Sequence, residues 1–170
     1  MKYYRIVLIS LAVIVCSCSD EEAEMRLSNM KTPVITGYEW RDYNAQLIKT
    51  IGTPNIKLGN ESNHYTSAYY FKSYPNPCSE WLNISVDIPN PDKTIKSWIV
   101  QAQYMDQAIT NPNQVGNSVI MHAGGAPLLQ QEFNNIATIF DVSDLQEGYY
   151  RLYVLVDSIL LYDNICVNRN

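Results

Sequence analysis

From residue 82 to residue 88 apolar and polar positions alternate without a break, with Leu82, Ile84, Val86 and Ile88 set against Asn83, Ser85 and Asp87. A period of two is the pattern of a half-buried strand. The run follows Pro75-Asn76-Pro77, whose prolines fix their own φ and push Tyr74 and Asn76 into extended backbone. Residues 73–86 therefore predict the entry into a β-domain.

Upstream, residues 34–42 and 47–51 predict two strands joined at 43–46, where Asn44 tolerates positive φ, so a hairpin is expected. Gly52-Thr53-Pro54-Asn55 ends it, 56–58 is a short apolar piece, 59–63 a loop, and 65–74 an aromatic lead-in strand. Downstream, Pro89-Asn90-Pro91-Asp92 is a second sharp turn. Residues 97–105 predict a strand with Trp98, Val100, Ala102 and Tyr104 on its inner face. Residues 106–117 read as a loop, 118–122 as a short strand, and 136–142 as a longer one. Residues 128–133 are ambiguous, because a helical turn there is too short to stand alone. In the following strand Tyr150, Leu152, Val154 and Val156 face inward against Tyr149, Arg151, Tyr153 and Leu155. Asp157-Ser158 makes a tight turn, and 159–167 returns as the last strand. Many short strands separated by turn signals predict an all-β sandwich.

Composition sharpens this in two ways. Thirteen Tyr and three Trp in 170 residues suit strands, which favour aromatic side chains. The formal net charge of -5 and the absence of a basic cluster argue against a nucleic-acid partner, since phosphate binding needs one.

The first residues are read as a leader rather than as fold. Lys2 and Arg5 precede the apolar run at 6–15, which is too short to span a membrane as a helix. Val15-Cys16-Ser17-Cys18 resembles a bacterial lipobox. Small Ser17 precedes Cys18, whereas bulky Val15 precedes Cys16, so Cys18 is the expected lipidation site. The resemblance implies cleavage after residue 17 and a membrane anchor through acyl chains, each buried methylene contributing about 0.8 kcal/mol. Other readings of the leader are an ordinary secretory signal and an uncleaved anchor. Residues 18–33 form an acidic tether, in which Asp20, Glu21, Glu22 and Glu24 are similar to the export signal of Bacteroidota surface lipoproteins. That resemblance implies the outer membrane, facing the cell surface. Cleavage takes Lys2 and Arg5 and no acid, so the remaining chain is more acidic still.

Two further patterns stand in order. Tyr74-Pro75-Asn76-Pro77 precedes Leu82 and Ile84, and Asp144 precedes Gly148-Tyr149-Tyr150-Arg151-Leu152 with Val154. Together they resemble the C-terminal sorting domain of type IX secretion substrates in Bacteroidota. The likeness covers 73–170 and implies an immunoglobulin-like antiparallel β-sandwich, with 34–72 as a hairpin extension packed on it. A looser likeness to the family's hairpin stands at 38–49, ahead of the Pro-Asn-Pro turn. The ending, NICVNRN, lacks the family's lysines, and Cys18 already supplies an address.

Candidate chemistry is sparse. Cys78 and Cys166 lie at the first turn and in the last strand, which are often neighbours in such a sandwich. They are expected either to pair as a disulfide or to remain as two buried thiols. His64 and His122 are far apart in sequence and have no metal-ligand spacing. Asp141, Asp144 and Glu147 read either as a calcium cluster or, better, as turn caps before Gly148. No GxSxG elbow, phosphate loop or HExxH is present, and no nucleophile, base and oxyanion donor assemble, so no enzyme and no cofactor are expected. Asp157-Ser158-Ile159 resembles the O-glycosylation motif of Bacteroidota envelope proteins, which marks Ser158; an ordinary turn is the simpler reading, because so short a motif arises by chance. Trp40 and Trp81 are open to two readings, a contact platform for glycan or protein and ordinary cross-strand pairing. Trp98 is assigned to the core. The expected function is a non-enzymatic, lipid-anchored envelope protein presenting a sandwich for protein or glycan interaction; the alternative is a sorting or assembly role.

Overall fold

The computed structural model describes residues 32–60, 69–105 and 125–169. The leader with Cys18, the acidic tether up to residue 31, His64, His122 and the expected strand at 118–122 lie outside the described residues.

The alternating run forms β5 (Trp81–Asp87), with Leu82, Ile84 and Val86 buried. It pairs antiparallel on one side with β4 (Tyr70–Tyr74) and on the other with β9 (Ala137–Asp141). A second sheet has the order β11-β10-β6-β8, with β6 Ile95–Gln101, β8 Leu129–Phe133, β10 Gly148–Val156 and β11 Ile159–Val167. Strands β10 and β11 form a nine-rung hairpin from Gly148↔Val167 to Val156↔Ile159. Its two-residue turn is Asp157-Ser158, with Asp157 at φ 54. The two sheets face each other across one core. Phe71, Leu82, Ile84, Val86 and Phe140 of the first sheet meet Ile95, Ile99, Leu152, Val154, Leu161 and Ile165 of the second.

This division of seven strands into three and four is an immunoglobulin-like antiparallel β-sandwich. One detail supports it independently. Tyr150 lies at the start of the penultimate strand, and its hydroxyl donates back to the Gln146 carbonyl at 2.6 Å, as in a tyrosine corner.

The extension also forms. β2 (Gly37–Arg41) pairs antiparallel with β3 (Leu47–Gly52), and β1 (Val34–Ile35) pairs parallel with β7 (Gln103–Tyr104). In the β2–β3 turn Asp42 Oδ1 accepts from the amides of Asn44 and Gln46, each at 2.9 Å. The residue that takes positive φ is Ala45, at 62°, and not Asn44 as expected.

Five further readings are corrected or resolved. The sandwich begins at Tyr70 rather than Ser73, because Phe71 already fills the core. Residues 128–133, ambiguous in the sequence, form a strand, since β8 finds the edge of β6 with register Ile95↔Phe133 to Ile99↔Leu129. Trp98 is not on the inner face of β6. Ile95 and Ile99 fill the main core, and Trp98 stands on the opposite face, stacked on Tyr153 at 5.2 Å between ring centres. Residues 97–105 are also not one strand: the Ala102 amide still takes the carbonyl of Tyr149 opposite it, and from Gln103 onward the chain pairs with β1 instead. Finally, the second face of β10 is buried too. Arg151 lies beneath Val34 and Asn55, Tyr153 packs with Trp98, Val100 and Tyr162, and Lys57 pairs with Tyr162 at the β11 edge.

Candidate functional site: a polar lock and an open cleft

The Pro-Asn-Pro segment is a buried junction. The Tyr74–Pro75 and Asn76–Pro77 peptide bonds are both cis. Asn76 between them is fully buried and exchanges both main-chain hydrogen bonds with Arg41, at 2.8 and 2.9 Å. Its Nδ2 donates to the carbonyls of Glu39 and Asn164, and its Oδ1 accepts from the Cys166 amide at 3.0 Å. One side chain thus ties the extension, the first turn and the last strand together.

Arg41 reinforces this junction. It is 2 % exposed and donates from Nη1 to Asp163 Oδ2 at 2.6 Å and to the Ser73 carbonyl at 3.1 Å. Nη2 pairs with Glu39. Asp163, wholly buried, also accepts from the Ser73 hydroxyl at 2.7 Å and from the Asn164 amide. Burial opposes the charge on Arg41, but Asp163 and Glu39 outweigh it, so the guanidinium pKa is raised. Arg151 differs. Its Nη1 and Nη2 donate to the carbonyls of Asn55 and Val34 and to Asn55 Oδ1, and its guanidinium lies 4.8 Å from the Tyr162 ring. Burial pushes its pKa down, and its Nε finds no partner.

Beside the junction opens a cleft of about 430 Å³ lined by Trp40, Asp42, Tyr43, Pro75, Pro77 and Arg169, among others. Its size is within the usual range for a small-ligand site. Trp40 is 38 % exposed and Tyr43 77 %, and Lys49 Nζ sits 4.4 Å from the Trp40 ring. The walls are rigid for local reasons. Prolines restrict the backbone on one side. On the other, Arg169 is pinned by donating from Nη2 to the carbonyls of Val142, Ser143 and Leu145.

The two tryptophans marked by the sequence do not form one platform. Trp40 lines the cleft, whereas Trp81 stands exposed on the outer face of the three-stranded sheet. Cys78 and Cys166 are neighbours, with the Cys78 amide donating to the Cys166 carbonyl at 3.0 Å. The structure holds both as free buried thiols, without a disulfide. Alternation along β11 explains this. Cys78 packs in the main core with Ile165 and Val167, while Cys166 points to the other face, toward Tyr38. Burial, with Cys166 nearby, pushes the Cys78 thiol up to about 12. Ser158 is exposed at the hairpin tip, and the adjacent Asp157 is held by Lys93 at 3.1 Å and the Tyr69 hydroxyl at 3.1 Å. Asp141 and Glu147 act as caps. Asp141 Oδ1 accepts from the Ser143 amide and hydroxyl, which lowers the Asp141 pKa, and Glu147 Oε1 accepts from the Arg169 amide. Among the described residues no His, Cys, Asp and Glu cluster could hold a metal ion.

Sequence reasoning missed Arg41, Asn55, Asn76, Arg151, Asp163 and Asn164 as a buried network, and Tyr43 and Arg169 as cleft residues. A signal existed for Arg151 and Asp163, which are isolated charges inside otherwise apolar strands.

No protein-family model matches this chain, and no curated protein matches it. Among solved structures, the soluble domain of PmoD from Methylocystis sp. ATCC 49242 (Rockwell) is similar over 67 % of this chain and 99 % of that chain, at 12 % identity and a TM-score of 0.35. A likeness of that degree carries no inference about what this chain does.

Proposed function

We propose that this is a lipid-anchored envelope protein, attached through Cys18 to the outer membrane and displayed at the cell surface. Its sandwich presents the Trp40–Tyr43 cleft to a glycan and performs no chemistry on it. One observation carries this reading: two exposed aromatic rings border an open cleft whose walls are fixed by the prolines and the Arg169 clasp. Sugar rings stack on such faces through their C–H groups, and Asp42 and Arg169 in the lining offer polar atoms to their hydroxyls. Titrating oligosaccharides while following tryptophan fluorescence tests it. Wild type is expected to bind, and Trp40→Ala and Tyr43→Ala are expected to lose at least tenfold in affinity with unchanged thermal stability. Equal binding by Trp40→Ala would refute the site. Binding of proline-rich peptides in place of sugars would move the reading to a protein partner.

A second reading, sorting or assembly in the type IX manner, has one observation in its favour: the seven-strand sandwich carries Tyr74-Pro75-Asn76-Pro77 and the Tyr150 corner together. A reporter fusion that tests it has to include residues 34–170, because a fusion starting at 73 would strand Asp163 without Arg41.

A further inference from the structure

Five of the described strands that end their sheets differ in protection. β11 is flanked by Lys57 and by the 76–78 segment, and β4 by residues 58–60. β3 carries Lys49 at its centre, and β8 carries Glu132, paired with Lys96 at 2.9 Å. Charges within the strand are a usual guard on an open edge. β9 reads ATIFD, with neither Pro nor Lys and a single charge at its end.

The register of β9 fixes what its edge offers. Ile136, Thr138, Phe140 and Val142 face β5 along the ladder, as shown by the bonds from the Val86 amide to the Ile136 carbonyl at 2.7 Å and from the Val142 amide to the Glu80 carbonyl at 2.8 Å. The main-chain N–H and C=O groups of Ala137, Ile139 and Asp141 therefore point outward. Their side chains share the outer face of the sheet, where Ile139 is 55 % exposed and lies diagonal to exposed Trp81.

We infer that β9 pairs antiparallel with β9 of a second copy, joining two three-stranded sheets into a six-stranded one. Three features select a second copy. A two-fold axis at Ile139 lets the three outward residues of each strand exchange hydrogen bonds in full register. That register sets Asp141 opposite the other copy's Ala137, so the one charge in the strand never faces its twin. It also sets Ile139 against the other Ile139, closing an apolar strip flanked by both Trp81 rings. The paired edges with Ile139 bury on the order of 800 Å² in total, below the range of stable specific interfaces and within that of transient ones, so the pairing is weak and reversible.

The test uses the full chain in mild detergent. Sedimentation of wild type is expected to show a concentration-dependent dimer. Ile139→Lys, which leaves the β5 ladder intact and opposes two ammonium groups at the axis, is expected to weaken it at least tenfold with an unchanged near-ultraviolet circular dichroism spectrum. Under mild oxidation Ile139→Cys is expected to give a dimer band that wild type and Ile48→Cys lack. A strictly monomeric wild type, an equal band in Ile48→Cys, or undiminished association in Ile139→Lys overturns the inference.

Discussion

The contact between Arg41 and Asp163 joins residues 122 positions apart and is shielded from water on both sides. Arg41→Met keeps the apolar stem and removes the guanidinium. Asp163 then remains buried with only the Ser73 hydroxyl and the Asn164 amide as donors. Leaving one member of a buried ion pair uncompensated costs about 3–5 kcal/mol. For a chain of this size, with a urea m-value of about 2 kcal/mol/M, the unfolding midpoint is expected to fall by about 2 M. Asp163→Asn is expected to cost less than Arg41→Met, because Glu39 still meets the guanidinium and the new amide oxygen still accepts. The double variant is expected to be more stable than the sum of the singles implies, with a coupling of about 1.5–3 kcal/mol. Equilibrium urea unfolding of the four proteins, followed by tryptophan fluorescence, measures the cycle. A loss under about 1 kcal/mol for Arg41→Met, or additivity within about 0.5 kcal/mol, would refute the view that this pair fastens the extension to the sandwich.

Other outcomes follow from the same structure. Tyr150→Phe removes the bond to the Gln146 carbonyl and is expected to cost about 1 kcal/mol in urea unfolding; no change would mean the corner is ornamental. Asn76→Ala strands two carbonyls and the Cys166 amide in the interior and is expected to cost about 3 kcal/mol or more, so a near-native midpoint would contradict the junction. Burial pushes Cys78 from 9.0 and Tyr38 from 10.0 up to about 12. The unfolded chain therefore ionises first, and the contribution of these groups is whole below about pH 9 and lost as pH rises toward 12. Urea midpoints from pH 7 to 11 are expected to fall above pH 9 and to fall less in Cys78→Ala; a flat wild-type profile would count against it. Cys78 and Cys166 are expected to react with a thiol reagent at neutral pH only after denaturant is added.

Much of the sandwich was legible because its strands follow one rule. β5 alternates cleanly, and β10 and β11 are long, apolar and joined by a two-residue turn, so local pattern and final structure agree. β6 misled because both of its faces are apolar. When Trp98 and Val100 compete with Ile95 and Ile99, periodicity cannot say which face meets the other sheet. β8 was ambiguous because LQQEF gains its strand character only from the β6 edge beside it. The cleft was half legible. Trp40 stood out by residue type, but Tyr43 and Arg169 meet it only after the Pro-Asn-Pro junction brings the β2–β3 turn to the end of β11. Cys78 and Cys166 show the limit most directly. Chain order placed them side by side, and strand parity, which no spacing between distant residues reveals, turned their sulfurs to opposite faces.

Arg151 has a consequence for how the chain folds. Its acceptors are the carbonyls of Val34 and Asn55, 117 and 96 positions away, and no acid is bonded to it. An arginine cannot shed its proton to enter an apolar interior. Strand β10 therefore cannot be dehydrated on its outer face until the earliest described part of the chain has docked there. Apolar collapse of the two sheets alone leaves a hydrated cation in the middle of the four-stranded one. The extension and the sandwich thus form one cooperative unit with high contact order, and such chains fold on the slow, millisecond-to-second side of the range. Hydrogen-exchange protection of β10 and of residues 34–55 should be lost together, in a single opening event.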